Sequence, residues 1–213
     1  MSQVVEIAIR KVKKGRLDEF KKARAVFITE LKKQEGVVVD REFQSFYALP
    51  APDDTEVFIG MTTWASMEAF GAAGQNLLGT AVAQNFFDTF DFKAYAAVKP
   101  PEGFDLRTLA SRPGQILELG VRSTPSEQQE AFDQTKPPFI EFLTSQDGVL
   151  EDYELEVVSE NEQNLSVGMT VYDSQESFQK IAESGLLQHP ITGAYFATFT
   201  LVASQFAFSV TND

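Results

Sequence analysis

The sequence contains no cysteine, and it has only one histidine and one tryptophan among its 213 residues. The absence of cysteine excludes disulfide bonds, thiolate metal sites and a cysteine nucleophile, and it fits a reducing cytoplasm. The opening residues, MSQVVEIAIRKVKKGR, lack the apolar core of a signal peptide. No stretch approaches the roughly 20 apolar residues that a membrane-spanning helix needs. The sequence therefore predicts a soluble, cytoplasmic protein with no membrane partner.

Basic residues are also scarce: 18 Lys and Arg stand against 31 Asp and Glu, for a formal net charge of −13. Nucleic acids and anionic membranes are bound through concentrated Lys and Arg, so we expect neither as a partner. The P-loop, the GxGxxG fingerprint, the HExxH zinc motif and the GxSxG nucleophile elbow are all missing. The sequence predicts no metal site and no bound cofactor.

The sequence does contain a residue pattern that occurs twice. Residues 60–70 read GMTTWASMEAF, and residues 168–178 read GMTVYDSQESF, so that Trp64 corresponds to Tyr172. A second match, FFDTF against YFATF, occurs near the end of each copy at almost the same separation. Two matches in the same order and at nearly the same separation predict an internal duplication.

The composition places the boundary between the two copies. The stretch VKPPEGFDLRTLASRPG is rich in proline and glycine, which favour turns and connections. We therefore predict a first unit over residues 1–99, a linker over residues 100–113 and a second unit over residues 114–213. Each unit has about 100 residues, which is near the commonest size of a domain.

Each copy shows the same coarse order of elements. The segments VVEIAIR and ILELGVR alternate apolar and polar residues, as half-buried strands do. A helix, two strands, a broken second helical region and a final strand follow in both copies. This βαββαβ order predicts an α+β fold of two tandem ferredoxin-like units. Each unit leaves one face of its antiparallel sheet bare, so we expect the two sheets to pack together as an internal pseudo-dimeric barrel.

The third strand of the first copy separates its side chains into two faces. Val57, Ile59 and Met61 form an aliphatic face, whereas Phe58 and Trp64 belong to a mixed face. We expect the aliphatic face to pack under the helices and the mixed face to lie between the two sheets. A shift of one residue in register would exchange the two faces.

The segments WASMEAF (64–70) and YDSQESF (172–178), each at the end of a strand in a βαββαβ unit, resemble those of the dimeric α+β barrel superfamily. The similarity is to the group of antibiotic-biosynthesis monooxygenases, and it covers nearly the whole chain twice. It implies a small aromatic or quinol-type substrate, oxidised in some members without a cofactor. The substrate anion then reduces O₂ itself inside a dry pocket that stabilises the developing charge.

Two functions stay open at this point. The resemblance implies a cofactor-independent monooxygenase, and the alternative is a non-catalytic small-molecule-binding or assembly protein with a degenerate barrel site. Haem-degrading members of the superfamily combine an Asn on the first strand with a Trp and an axial His on the second helix. Neither first strand here has an Asn, and His189 is the single histidine. A further homodimer also stays open.

Four residues are candidates for catalysis, and each has a structural alternative. Trp64 and Tyr172 would form pocket walls or donate a hydrogen bond to substrate, or they would be aromatic plugs between layers. Arg10 would orient an anionic substrate, or it would be paired with Glu6 or with the other copy, as buried charges must be. His189 would serve as a general base or haem ligand, or it would lie at a helix boundary.

One feature distinguishes the second copy. Pro137 and Pro138 lie inside its first predicted helix, where proline removes hydrogen bonds and bends the axis. Such a bend would widen a cleft in the second copy alone, or it would be a harmless change after duplication.

Overall fold

The computed structural model describes residues 2–159 and 164–210. The N-terminal half contains β1 (Val4–Val12), α1 (Leu17–Leu31), β2 (Val37–Leu49), β3 (Val57–Trp64), α2 (Met67–Leu77), α3 (Ala81–Phe87) and β4 (Phe90–Lys99). The C-terminal half contains β5 (Ile116–Ser123), α4 (Gln129–Thr144), β6 (Val149–Val157), β7 (Leu165–Tyr172), α5 (Gln175–Glu183), α6 (Pro190–Phe196) and β8 (Thr200–Ser209). Both halves follow the predicted order, with the second helical region split in two. No helix in the described ranges is long and apolar enough to cross a membrane.

The eight strands form one closed antiparallel barrel in the order β1-β3-β2-β8-β5-β7-β6-β4. Each half supplies four adjacent strands, and the halves are joined edge to edge by β2 with β8 and by β4 with β6. The joint between β4 and β6 is short, with Val98 paired to Val157 and Lys99 paired to Glu156, whereas β2 and β8 pair from Phe43 to Leu49. The predicted α+β class and the internal barrel of two ferredoxin-like halves are confirmed.

The interior of the barrel is aliphatic and is shared by both halves. Ile59 and Met61 of β3 pack there with Val167 and Met169 of β7, all fully buried. The prediction that these residues face the helices is therefore wrong, and the two faces are exchanged. An eight-stranded barrel has an interior just wide enough for side chains, which branched aliphatic residues fill efficiently.

The mixed face lies on the outside of the barrel, under the helices, where the packing is aromatic. Phe20 of α1 stacks on Phe58 of β3 with 4.8 Å between ring centroids, and Phe27 stacks on Phe86 at 5.0 Å. Large rings on the helices need both aromatic and small partners on the strands. This requirement explains why a face carrying Phe58 and Gly60 lies under helices.

The segment between the two halves is anchored to the barrel. Leu106 and Leu109 are buried in the aliphatic interior cluster. Arg41 of β2 donates hydrogen bonds from Nη1 to the backbone carbonyls of both leucines, and from Nη2 to Ser209 Oγ. The predicted linker therefore also contributes to the core.

Helix α4 continues through both of its prolines, contrary to the predicted interruption. Pro137 and Pro138 are exposed, as are Asp133 and Gln134, whose carbonyls lose their helical donors. Because these residues are exposed, water can replace the lost donors, and packing of the other face, which includes the buried Phe132, Phe139 and Leu143, maintains the helix.

Candidate active site: two related cavities

Each half contains a cavity between the outer face of its strands and its helices. The N-terminal cavity has a volume of about 470 Å³ and the C-terminal cavity about 460 Å³, both within the range of small-molecule sites. Aromatic rings line both. In the N-terminal cavity they include Phe27, Trp64, Phe70, Phe86, Phe90 and Tyr95. In the C-terminal cavity they include Tyr47, Phe139, Tyr172, Phe178, Tyr195 and Phe206.

The glycine of the repeated GMT motif makes room for an arginine. A Cβ atom on Gly60 would lie 2.1 Å from Nη2 of Arg10, which extends from the neighbouring strand β1. A Cβ atom on Gly168 would lie 2.9 Å from Nη2 of Arg122 in the same way. Each glycine therefore allows a guanidinium group to lie flat against the sheet beneath the helices.

The threonine of the motif binds a carboxylate on the adjacent strand. Thr62 Oγ1 donates to Asp40 Oδ1 at 3.1 Å, and Thr170 Oγ1 donates to Asp152 Oδ1 at 2.8 Å. The methionine between glycine and threonine points into the barrel. The repeated letters thus encode one arrangement of buried charge in each half.

The aromatic residue of the motif also donates to a carboxylate. Trp64 Nε1 lies 3.3 Å from Glu6 Oε2, and Tyr172 Oη lies 2.7 Å from Glu118 Oε2. Both rings are almost completely buried, yet both line a cavity. They therefore close the packing between layers and form a wall of the cavity at the same time.

The close approach of Arg10 makes residue 60 a sensitive position. We expect Gly60→Ala to lower the free energy of unfolding by about 1–3 kcal/mol, because the added methyl displaces a buried, paired guanidinium. Gly120→Ala is the matched control, since its Cβ would meet nothing closer than Gly168 O at 4.0 Å and the corresponding residue in the first half is already Ala8. Urea denaturation of both variants measures the difference. Equal stabilities would contradict the assigned contact.

At the base of the N-terminal cavity, two arginines pair with Asp40 and Glu42, and Glu6 is a third carboxyl group nearby. Arg10 Nη2 lies 2.8 Å from Glu42 Oε1, and Arg24 of α1 forms ion pairs with Asp40 at 2.9 Å and Glu42 at 2.6 Å. All four side chains are buried. Burial raises the pKa of Asp40 and Glu42, and the two arginines oppose that rise. The expected pairing of Arg10 with Glu6 or with the other half is therefore wrong: its partner is Glu42 on β2 of the same half.

The C-terminal cavity has only one of these two cations. Arg122 binds Glu154 through two hydrogen bonds, Nη1 to Oε1 at 3.0 Å and Nη2 to Oε2 at 2.8 Å. Lys136 occupies the position in α4 that corresponds to Arg24 in α1. Its ammonium group lies 5.0 Å from the ring centroid of Phe132. Within the described residues no ion pair reaches Asp152, so three carboxyl groups share one arginine.

Asp152 is the group most affected by this shortage of positive charge. Burial raises its pKa to about 6, and the nearby Glu154 adds to the rise, while the hydrogen bond from Thr170 and the charge of Arg122 oppose it. Burial also raises the pKa of Glu118, with Asp152 contributing. A carboxyl that titrates near neutral pH on the wall of a cavity is suited to accept and return a proton.

The C-terminal cavity also has a hydroxyl donor that its counterpart lacks. Tyr195 of α6 lines the cavity and accepts a hydrogen bond from Arg122 Nη1, which leaves its own proton for a ligand oxygen. Burial raises the pKa of Tyr195, so the phenol stays protonated at neutral pH. The corresponding residue in the N-terminal half is Phe86. A donor of this kind stabilises negative charge on a bound molecule.

The C-terminal cavity is completed by the other half of the chain. Strand β2 extends beyond the end of β3, and its residues Phe46, Tyr47 and Leu49 form part of the cavity wall. The residues that line the N-terminal cavity all belong to the range 6–95. The two cavities therefore occupy corresponding places in the two halves but are not equivalent.

The structure separates the four residues predicted from sequence. Trp64 and Arg10 line the N-terminal cavity, and Tyr172 lines the C-terminal cavity. His189 lines neither cavity. It caps α6, where its Nδ1 accepts from the backbone N–H of Ile191 at 3.3 Å.

Sequence reasoning missed the two carboxylates and the tyrosine that make the C-terminal cavity distinct. Asp152 and Glu154, in the acidic stretch 151–156, line the cavity. A usable signal was present, because D-x-E occurs at 40–42 and again at 152–154, in step with the repeat. Tyr195 was visible in the match of YFATF with FFDTF as the one position where a ring gains a hydroxyl.

The residues present do not fit a haem held by histidine. The ring of His189 stacks on Phe142 with 4.3 Å between centroids, and its Nδ1 is used in the helix cap. Among the described residues no group of three His, Asp or Glu side chains is arranged to hold a metal ion.

No protein-family model matches the sequence, and no curated protein is similar to it. Solved structures do match. An anthrone oxidase-like protein superimposes with a TM-score of 0.72 at 11% identity, over 99% of this chain and 92% of that one. A candidate monooxygenase from Fusobacterium nucleatum subsp. nucleatum gives 0.59 at 11% identity, over 99% and 93% of the chains. A variant chlorite dismutase from Candidatus Nitrospira defluvii gives 0.62 at 10% identity, over 99% and 92%.

Identities this low establish a common fold and leave the chemistry to the site itself. The matches extend over the whole barrel, including both halves and the joints between them. Taken with the closed eight-stranded sheet and its outer helices, they show that this chain has the dimeric α+β barrel fold, with both halves of the barrel in a single chain.

Proposed function

We propose that the chain is a cofactor-independent oxygenase that acts on a small aromatic or quinol-type molecule in the C-terminal cavity. The observation that carries this proposal is the pairing of Asp152, whose pKa is raised to about 6, with the protonated hydroxyl of Tyr195 on one cavity wall. One group accepts a proton and the other stabilises the anion that results. The monooxygenase-like fold of the chain and the anthrone oxidase-like neighbour support the same class of reaction.

The reaction begins with loss of a proton from an activated C–H or O–H group of the substrate to Asp152. Only Oδ1 of this carboxylate is bound, by Thr170, and no hydrogen bond to Oδ2 occurs within the described residues. The substrate anion is held by the hydroxyl of Tyr195, which keeps the charge on the substrate oxygen. At neutral pH Asp152 is largely ionised and is ready to act as the base.

Dioxygen is the oxidant in the next step. The substrate anion transfers electrons to O₂, and a C–O bond forms at the carbon that lost its proton or, for a phenolate, at the ring carbon ortho or para to its oxygen, which carries part of the negative charge. The proton on Asp152 returns to the peroxide oxygen, and the hydroperoxide then loses water. For a CH₂ group between aromatic rings, one oxygen atom becomes a carbonyl and the other leaves as water, so the reaction balances without a further reductant.

The lining of the cavity supports an aromatic substrate. Phe139, Phe178 and Phe206 supply apolar ring faces. The strands contribute the carboxyl groups at the base, and α5 adds polar side chains on the helix side, namely Gln175, Gln179 and Glu183. Rings stack on such walls in offset or edge-to-face geometry. Exclusion of water strengthens the interaction of the anion with Tyr195 and protects a reactive peroxide.

Oxygen uptake with a panel of anthrones, naphthols and hydroquinones tests the proposal, and its pH dependence is a specific prediction. Because the base must be ionised, we expect kcat/KM to rise with pH through an apparent pKa near 6 and then to level off. An oxygen electrode and a non-enzymatic blank at each pH provide the measurement. Absence of uptake above the blank across the panel would refute the proposal, and a rate that falls with pH over this range would exclude Asp152 as the base.

A non-catalytic small-molecule-binding protein is the second candidate. The observation that favours it is the pairing of Asp40 and Glu42 with Arg10 and Arg24 at the N-terminal cavity, where the third carboxyl group, Glu6, accepts hydrogen bonds from Tyr95 and Trp64. Saturable binding of the panel compounds without oxygen uptake would support this candidate for the whole chain.

A further inference from the structure

We propose that the N-terminal cavity is a second, non-catalytic binding site for a neutral, planar aromatic molecule, separate from the reaction in the C-terminal cavity. The site is defined by Trp64 and by the rings of Phe27, Phe70 and Phe86 above the strand surface. Its volume of about 470 Å³ lies within the range of volumes found for small-molecule sites.

The ring faces of this cavity favour a flat ligand. Trp64 lies 5.8 Å from Phe70 with a tilt of 60°, and the exposed ring of Phe92 lies edge-on to Tyr95 at 5.6 Å. Leu77 and Ala73 of α2 add aliphatic surface on the helix side. A planar ring system makes extensive contact with such walls and loses little conformational entropy on binding.

Most polar atoms at the base of the cavity already have partners, although Nε of Arg10 is buried without a hydrogen bond among the described residues. Glu6 accepts a hydrogen bond on each carboxylate oxygen, Oε1 from Tyr95 and Oε2 from Trp64. Arg10 and Arg24 are paired with the carboxylates of β2. A charged ligand would have to break one of these contacts or be buried without a counter-ion, and both are costly. The occupant is therefore neutral.

The paired charges also explain why the N-terminal cavity would bind a molecule without catalysing a reaction. The positions that correspond to Lys136 and Tyr195 are Arg24 and Phe86, so the N-terminal cavity has a second cation and lacks the hydroxyl donor. Among the described residues, a molecule bound there meets carboxyl groups that are all hydrogen-bonded or ion-paired, and no hydroxyl at the position of Tyr195. Binding without turnover follows from these two differences between the halves, Arg24 in place of Lys136 and Phe86 in place of Tyr195.

The single tryptophan provides a direct readout of this site. Titration with 1,4-naphthoquinone, a neutral planar quencher, is expected to quench Trp64 fluorescence saturably. The anionic analogue 1,4-naphthoquinone-2-sulfonate is expected to bind at least about tenfold more weakly, because its charge would be buried without a partner. The chain has no cysteine that the quinone could alkylate.

A matched pair of helix variants assigns the quenching to this cavity. Gly74 lines the cavity, and a Cβ there meets only Leu78 Cδ1 at 3.8 Å, so Gly74→Phe places a ring in the binding space. Gly71 lies one turn earlier in the same helix, is exposed and has open space around it, so Gly71→Phe is the control. We expect Gly74→Phe to weaken quenching at least about tenfold and Gly71→Phe to leave it unchanged. Circular dichroism confirms that both variants are folded.

The outcomes separate this proposal from the proposed function. Full quenching in Gly74→Phe, equal affinity for the sulfonate, or no saturable quenching of the wild-type protein would each overturn the second site. Oxygen uptake in Gly74→Phe is expected to stay within about twofold of wild type, and its loss would show that the N-terminal cavity takes part in turnover. None of the fluorescence measurements depends on catalytic activity.

Discussion

Asp152→Asn is expected to lower the kcat for oxygen uptake by about 100-fold or more. A positioned general base contributes about 10²–10⁴-fold to a proton transfer, and an amide cannot accept the proton. The change is close to isosteric, and the Asn side-chain oxygen still accepts the hydrogen bond from Thr170 Oγ1. The variant therefore loses the ability to accept a proton but keeps the local structure. Unchanged uptake in this variant would refute the assignment of the base.

The pH dependence of the stability of the same variant tests whether the pKa of Asp152 is raised in the folded protein. The pKa of Asp152 is about 6 in the folded protein against 3.8 in the unfolded chain. The folded state therefore binds more protons between about pH 4 and pH 6, and the stability of the wild type falls as pH rises through this window. Asp152→Asn lacks this dependence. We expect the variant to gain stability relative to wild type from pH 4 to pH 6 and to keep a constant difference above it, and parallel curves would contradict the raised pKa.

Arg24→Met is expected to lower the free energy of unfolding by about 3–5 kcal/mol. Removing one partner from a buried ion pair leaves the other charge without compensation, and Asp40 loses its closest cation while Glu42 loses one of two. Methionine keeps the apolar stem of the side chain, so the measured loss reports on charge rather than on packing. Chemical denaturation at neutral pH gives the value.

Lys136→Met is the matched control for this variant. It changes the corresponding residue of the other half, whose ammonium group lies over Phe132 and not beside a carboxylate. We expect a loss of under about 1 kcal/mol, the size of one cation–π contact. Equal losses at the two positions would show that the halves have the same charge network and that the C-terminal cavity is not distinct in this respect.

Most of the fold could be predicted from the sequence. The repeated GMT motif and the alternation in VVEIAIR and ILELGVR led to two βαββαβ halves and to a barrel, which the structure confirms. These predictions rest on local periodicity, which depends only on the backbone geometry of strands and helices. The internal duplication itself, and the boundaries at residues 99 and 114, stay predictions.

The face of each strand could not be read in the same way. Alternation shows that Ile59 and Phe58 lie on opposite sides of β3, but it does not say which side is inside the barrel. The answer depends on the width of the closed sheet and on the rings carried by α1 and α3. Both are properties of the assembled structure. The error placed Arg10 between the sheets, although it lies under the helices.

The ion-pair partners of the buried charges could not be predicted from the sequence for a related reason. Glu42 and Arg10 are far apart in the sequence and become neighbours only because β3 lies between β2 and β1 and has a glycine at the crossing point. The contrast between Arg24 and Lys136 looks conservative in the sequence. In the structure it decides whether Asp152 is neutralised.

The sequence by itself determined the class of the fold and the order of its elements, which is the same in both halves, because these follow from patterns only a few residues long. Only the tertiary structure decided which strand face is internal, where the cavities lie and which carboxylates have a cation beside them. Those properties arise from distances between residues on different strands and helices, and burial then converts a missing guanidinium into the raised pKa of Asp152.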